Sequence, residues 1–230
     1  MDERRGRAVG GRTLIAAALA SLAAVTALGL TAAPAGSQAR PAPAPDPALE
    51  ARAITQMVTA AEVAAWARER RDPRAMLVAA RMLGDISTRR ENGDEPFLTH
   101  SALLDEAESF AAGDRAMQDQ ISQERSPAKG VRASAFGAGP IVVVRRLRAR
   151  ETYSFTIEAR RNEVLRVAAI GDGDTNIDLA LRDQNGAVIC SDGSLDHYPV
   201  CTVARPQAGP IRIEIVNRGE VWSRVQILTN

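Results

Sequence analysis

Three residues of the types used by serine hydrolases lie close together in the chain: Ser191, Asp192 and His197. A nucleophilic serine needs a base, a third group that orients the base, and donors for the oxyanion. No G-x-S-x-G elbow surrounds Ser191, and the three residues lie in a predicted hairpin tip. The pattern therefore does not favour a hydrolase, and we assign no catalytic residue and predict no enzyme activity.

Acidic side chains alternate along residues 171–178, where Asp172, Asp174 and Asp178 could offer oxygen ligands to Ca²⁺. The run lacks the glycine and the twelfth-position glutamate of an EF-hand loop. Aspartate and glycine are also the residues that a tight turn between strands requires. We favour a turn with a solvated face, keep a calcium site on these aspartates as the alternative, and assign no cofactor.

The two cysteines, Cys190 and Cys201, lie in neighbouring predicted strands joined by SDGSLDHYPV. In an exported protein, two thiols facing each other across such a hairpin should oxidise. A reactive dithiol would instead need C-x-x-C spacing and a basic neighbour, and this segment has neither. The sequence therefore predicts a structural disulfide, which should add about 3 kcal/mol to stability by the chain-entropy estimate.

The aromatic and histidine residues give weak signals, because aromatics are 3% of the chain and histidines number two. Trp66 and Trp222 are isolated aromatics, for which core packing is favoured over a sugar-binding platform. His100 should lie just before a helix, as a capping or solvent-facing residue. H-E-x-x-H, P-loop and G-x-G-x-x-G motifs are absent from the sequence.

The first forty residues have the pattern of an export signal. Arginines within residues 4–12 precede an uncharged stretch, 13–30, and small residues follow around Ala35 and Ala39. This pattern predicts a signal peptide over 1–39 and a periplasmic or secreted bacterial protein. The alternative is an uncleaved membrane anchor, because the stretch reaches the lower length limit of a spanning helix.

Composition excludes several classes of protein. The 230 residues carry a formal charge of +1, with 29 basic and 28 acidic residues. Removing the four basic and two acidic residues of 1–39 leaves 25 basic and 26 acidic residues. No strong field attracts nucleic acid. Two cysteines and two histidines would nearly all be needed for one usual zinc site.

A helical domain is predicted over 48–125, after the Pro-rich linker 40–47. Asp72 and Pro73 form a helix start, and the short turn before them makes two helices antiparallel. About four helices are expected. They resemble α-hairpin repeats only weakly, so a plain bundle is favoured and a peptide-binding groove is the alternative.

The hydrophobic period changes to two in the C-terminal half, after a second linker at 126–140. Eight strands are predicted within 141–230, which indicates a two-sheet antiparallel sandwich of jelly-roll type. Their expected ranges are 141–147, 151–159, 163–170, 176–182, 187–191, 199–204, 210–217 and 221–229. The predicted fold class is α+β in two domains, a small helical bundle followed by this sandwich.

The strand-rich half resembles the bacterial pre-peptidase C-terminal domain. The matching segments are ETYSFTI at 151–157, GDGDTNIDLALRDQNGAVICSD at 171–192 and AGPIRIEIVNRG at 208–219. The resemblance covers roughly the last 90 residues. It implies a secreted β-sandwich that accompanies exported proteins, often peptidases, although no peptidase precedes it here.

These features together predict an exported, non-catalytic interaction or adaptor module of the cell envelope. Its expected partner is another envelope or secreted protein, with no nucleic acid and no membrane span once the signal is cleaved. The alternative is a module that binds glycan or matrix polymer with the help of calcium. The identity of the partner and the oligomeric state do not follow from the sequence.

Overall fold

The computed structural model describes residues 46–91, 93–126, 134–205 and 207–230. The predicted signal peptide, most of the first linker and residues 127–133 of the second linker lie outside these ranges. None of the helices in the described ranges combines the length and the apolarity that a membrane crossing needs.

Four helices form the N-terminal part of the described chain, as expected. They are α1 (Pro47–Arg70), α2 (Pro73–Gly84), α3 (His100–Phe110) and α4 (Arg115–Arg125). Each follows an N-cap whose side-chain oxygen accepts backbone N–H groups of the first turn, supplied by Asp46, Asp72, Thr99 and Asp114. Proline at the first position of α1 and α2 completes the start signal.

Eight strands of the C-terminal half form the two sheets of the predicted sandwich. They are β2 (Ile141–Leu147), β3 (Thr152–Ala159), β4 (Glu163–Gly171), β5 (Ile177–Arg182), β6 (Val188–Asp192), β7 (Val200–Arg205), β8 (Gly209–Asn217) and β9 (Ser223–Thr229). Sheet A has the order β2-β9-β4-β7, and sheet B has the order β3-β8-β5-β6. Within the sheets, β2 pairs with β9, β3 with β8, β4 with β7 and β5 with β6. This nested pairing, from the outermost strands to the innermost, is that of a jelly roll and confirms the predicted fold class.

Alternating side chains fill the space between the sheets. Ile211, Ile213 and Ile215 of β8 are fully buried there, and their cross-strand neighbours Leu179 and Leu181 lie beside them. The intervening polar residues of these strands face solvent, as expected for a half-buried antiparallel sheet. The period-two pattern in the sequence therefore corresponds to the core face of sheet B.

A short additional strand, β1 (Arg89–Arg90), lies between α2 and α3, within the range for which the sequence predicts only helices. It pairs in parallel with the start of β2 and extends sheet A at that edge. Two arginines carry no strand periodicity, so the pairing depends on the open edge of β2 and not on local sequence. The result is that the edge of β2 is covered.

The helices form a third layer on the outer face of sheet A. Val142, Ala168, Ile170 and Leu228 point away from the sandwich interior and belong to the same apolar core as the helices. The helical bundle and the sandwich pack together in one compact unit. The individual domain boundaries stay a prediction.

Candidate functional site

The three residues of the hydrolase pattern are not joined into a relay in the described structure. Asp192 accepts hydrogen bonds from Ser194 Oγ at 2.7 Å and from the Val200 backbone N–H at 2.8 Å. The ring of His197 lies against the ring of Tyr198, with centroids 3.9 Å apart and planes tilted by 41°. Asp192 therefore shapes the β6–β7 connection, and none of its hydrogen bonds reaches His197.

Burial and hydrogen bonding shift the pKa values of these two groups. Burial raises the pKa of Asp192, but the N–H and O–H groups of Val200 and Ser194 outweigh it and leave the pKa below 3.8. Burial lowers the pKa of His197 below 6.5, against the opposing effect of Asp196. A neutral His197 packed on Tyr198 suits a structural role in this connection.

Two of the aspartates considered for calcium are engaged within the fold. Asp172 accepts hydrogen bonds from Ser223 Oγ at 2.7 Å and from the Arg224 N–H at 2.8 Å. Asp178 accepts one from Arg218 Nε at 2.5 Å, whereas Asp174 is exposed. Within the described ranges, no group of three or more His, Cys, Asp or Glu residues is placed to hold a metal ion.

The predicted disulfide between Cys190 and Cys201 is present, with its Cα atoms 5.9 Å apart. Its position differs from the expected one, because β6 pairs with β5 in sheet B whereas β7 pairs with β4 in sheet A. The bond therefore joins the two sheets and does not cross a hydrogen-bonded hairpin. Sequence proximity could not distinguish these arrangements, because the connecting segment is long enough for either.

The expectation that both tryptophans pack in the core is wrong. The exposed fractions of Trp66 and Trp222 are 46% and 48%. Each indole has a guanidinium over its ring, from Arg70 at 4.4 Å and from Arg146 at 4.7 Å. For Trp66, a signal was present in the sequence, because the buried side of α1 consists mostly of alanine.

Trp66 lies in an apolar groove on the outer side of the helical layer. We call this groove the Trp66 face and define it by its lining residues, Glu62, Val63, Trp66, Ala75 and Val78. Its volume is about 450 Å³, and it is broadly open to solvent. Val63 and Ala75 pack against the core beneath, whereas Val78 is 49% exposed.

The α1–α2 turn positions the two sides of the Trp66 face. Arg71 closes α1 in the left-handed conformation, with φ 50°, and Asp72 at once caps α2. At the far end, Gln56 Nε2 donates to the Met82 carbonyl at 2.7 Å. The two helices therefore lie antiparallel. Val63 and Trp66 are three residues apart on α1, as are Ala75 and Val78 on α2, so both pairs line the same groove.

Charged residues lie at both ends of the Trp66 face along α1. Glu62 lies at one end, and Arg70 lies at the other, where it pairs with Glu69 at 3.0 Å. On the side of α1 away from Trp66, Arg68 forms a two-pronged contact with Glu106 of α3, at 2.6 and 2.8 Å. This contact with α3 holds the C-terminal end of α1 in place.

A partly buried tyrosine supports the same end of α1 from below. Tyr198, from the β6–β7 connection, packs against the helical core, and burial raises its pKa to about 12. The helix that carries Trp66 is thus anchored at its C-terminal end by α3 and by the β6–β7 connection. An apolar groove with a half-exposed tryptophan is suited to binding.

The chain matches no protein-family model and no curated protein. Solved structures that match include the pre-peptidase C-terminal domain of a Bacillus anthracis collagenase, at 5% identity and a TM-score of 0.35, covering 39% of this chain and 87% of that one. The domain type that the strand sequences resemble is therefore among the matched structures.

Two further matches are also β-rich proteins. The periplasmic inhibitor of g-type lysozyme from Aeromonas hydrophila has 14% identity and a TM-score of 0.30, with 40% of this chain and 86% of that one covered. A Cellvibrio mixtus carbohydrate-binding module, solved with cellotriose, has 14% identity and a TM-score of 0.25, with 36% and 72% covered. Matches at this level carry no argument about function.

Proposed function

We propose that this protein is an exported, non-catalytic interaction module of the cell envelope. It binds another envelope or secreted protein through the Trp66 face. The observation that carries the proposal is the half-exposed Trp66 in an apolar groove, between Val63 on its own helix and Ala75 and Val78 on the next. Tryptophan is enriched among residues that dominate binding energy, because it buries a large rigid surface.

Export is supported by two separate features. The basic start and the uncharged stretch 13–30 have the pattern of a signal peptide, with small residues before Ala39. The disulfide between Cys190 and Cys201 fits an oxidising compartment such as the periplasm. The proposed location is therefore the periplasm or the outside of the cell.

The proposed occupant of the Trp66 face is an amphipathic helix of the partner protein. A groove between two antiparallel helices accepts the apolar side of a third helix, with side chains three and four residues apart as anchors. Glu62 lines one end of the face and favours a lysine or arginine of the partner there, whereas Arg70 at the other end already pairs with Glu69. The carboxylate of Glu62 therefore favours the direction that brings a basic residue of the partner helix to that end.

The experiment is affinity capture from native envelope extract with the whole exported chain as bait. Trp66→Ala should reduce retention of the specific partner by about tenfold or more, as expected for a hot-spot tryptophan. Trp222→Ala is the matched control, because both indoles are about half exposed and both lie under a guanidinium. The control should retain the partner fully.

Two results would overturn the proposal. One is a partner retained equally by the wild-type chain and by Trp66→Ala. The other is a partner lost with Trp222→Ala and kept with Trp66→Ala, which would move the binding surface to the sandwich. Retention of polymer by the sandwich, only with calcium, would support the alternative, which the internal hydrogen bonds of Asp172 and Asp178 do not favour.

A further inference from the structure

A second cavity lies between the helical layer and sheet A, away from the lining of the Trp66 face. Its volume is about 240 Å³. The floor is made by Met57, Leu98 and Val142, each less than 5% exposed. The rim contains the exposed residues Gly84 and Thr88, so the cavity has a buried end and an open end.

His100 lines this cavity, and a hydrogen bond orients its ring. Its Nδ1 lies 2.8 Å from the Ala80 carbonyl oxygen. A carbonyl oxygen only accepts, so Nδ1 carries a proton, and in the neutral tautomer with this proton Nε2 is the acceptor. Within the described ranges, no residue hydrogen-bonds to Nε2.

Gly84 makes room for the His100 ring. A Cβ atom at Gly84 would lie 2.9 Å from Nδ1 and 3.1 Å from Cε1, closer than side chains normally pack. The ring therefore lies flat against the last turn of α2. The contact between Gly84 and His100 could not be predicted from the sequence, because the polar segment between α2 and α3 separates the two residues.

The other polar groups of the cavity differ in how far they are satisfied. Gln226 on the floor accepts from the Leu98 N–H at 3.2 Å and donates to the Leu98 carbonyl at 3.4 Å. The Thr88 hydroxyl at the rim has no hydrogen-bond partner among the described residues. The cavity thus combines apolar walls with two polar groups that a ligand could engage, Nε2 of His100 and the hydroxyl of Thr88.

We infer that this cavity binds a small, mostly apolar molecule that carries one hydroxyl group, such as an alkylphenol. The hydroxyl donates to His100 Nε2, and the hydrocarbon part packs on Met57, Leu98 and Val142. The size is appropriate, because a dry apolar cavity of about 150 Å³ already holds benzene. This site is independent of the proposed partner binding at the Trp66 face.

The test compares 4-methylphenol with toluene as probes for the whole exported chain, by calorimetry and by the shift in Tm. A purely apolar cavity prefers toluene, because burying an unpaired hydroxyl is costly. With the Nε2 acceptor present, 4-methylphenol should bind about fivefold more tightly than toluene, the effect of one hydrogen bond. Equal binding, tighter binding of toluene, or no binding of either probe would overturn the inference.

Two variants locate the bound molecule. His100→Asn can keep the donation to the Ala80 carbonyl and lacks Nε2, so it should abolish the preference for 4-methylphenol. Val142→Ile extends the floor into the cavity and should weaken the binding of both probes. Val144→Ile is the control, because it makes the same change two residues along β2, outside the lining, and should leave the binding of both probes unchanged. If Val142→Ile and Val144→Ile bind the probes equally, the molecule lies elsewhere.

Discussion

Glu50 of α1 is the most deeply buried carboxylate among the described residues, with 1% of its surface exposed. Arg89 of β1 places Nη2 at 2.8 Å from Glu50 Oε1, an ion-pair distance without hydrogen-bond geometry. Arg89 Nε donates to the Gly139 carbonyl at 2.9 Å. Burial raises the pKa of Glu50 above 4.5, and the charge of Arg89 opposes that rise. This pair ties α1 to the edge of sheet A.

Replacing Arg89 with methionine should destabilise the protein in a pH-dependent way. The loss at pH 7.5 should be about 2 kcal/mol, below the ~3–5 kcal/mol of a fully buried pair, because Arg89 is about a third exposed. A carboxyl whose pKa is raised by folding binds more protons in the folded state, so stability falls as pH rises through that range. Urea unfolding at pH 5 and at pH 7.5 should therefore show a smaller loss at pH 5.

Glu50→Gln in the Arg89→Met background is the control for this pH dependence. It removes the buried charge, so the free energy of unfolding at pH 7.5 should recover. The difference between the loss at pH 5 and the loss at pH 7.5 should then disappear. A loss in the single variant that is the same at both pH values would contradict the role assigned to the pair.

Some residue roles could be predicted from the sequence and others could not. The cysteines could be paired, because thiols in an exported chain have few alternatives. The burial of Glu50 and the exposure of Trp66 could not be predicted, because both residues lie in the same helical pattern. Which of them is buried depends on the face of α1 that packs against sheet A. Local sequence fixes the helix, and packing between layers decides which of its residues are buried.

At the scale of elements, strands were predicted within about two residues because their period of two is strong. The covering of sheet A by helices was missed. A signal for it existed in β4, where Val167, Ala168, Ala169 and Ile170 are all buried, so that both faces of the strand are apolar. Unbroken apolar runs are typical of strands covered on both sides.

The disulfide acts between elements, since it joins sheet B at Cys190 to sheet A at Cys201. The Cys190→Ser, Cys201→Ser double variant should lose about 3 kcal/mol of unfolding free energy, the entropic effect of closing a short loop. Urea unfolding of the oxidised and double-variant proteins measures this loss. Reductant should lower the stability of the wild-type protein and leave the variant unchanged; equal stability of both would contradict a structural role.

At the scale of the whole molecule, the helices share an apolar core with the outer face of sheet A, and a second core lies between the two sheets. Val142, Ala168, Ile170 and Leu228 of sheet A are buried by residues of the helical layer. Polar contacts cross the same boundary, where Arg166 Nη1 donates to the Ala51 carbonyl at 3.1 Å and Asn230 Nδ2 donates to the Pro47 carbonyl at 3.0 Å. Unfolding one layer would expose the apolar face of the other.

The helices and the sandwich should therefore unfold in one cooperative step. Each layer carries one of the two tryptophans, so Trp222→Phe leaves Trp66 to report on the helices and Trp66→Phe leaves Trp222 to report on the sandwich. Urea unfolding followed by fluorescence should give the same midpoint in both variants, after correction for their stability by circular dichroism. Two separate midpoints would show that the layers fold independently.

Site-specific photocrosslinking in living cells tests most directly whether the Trp66 face binds a partner protein. A photoreactive residue in place of Val78 lies on that face, and one in place of Val188 lies on β6; the exposed fractions of the two valines are 49% and 50%. We predict a defined adduct with another envelope or secreted protein from position 78 that Trp66→Ala suppresses, and no such adduct from position 188. An adduct from position 188 alone, or one from position 78 that persists in Trp66→Ala, would contradict the proposed function.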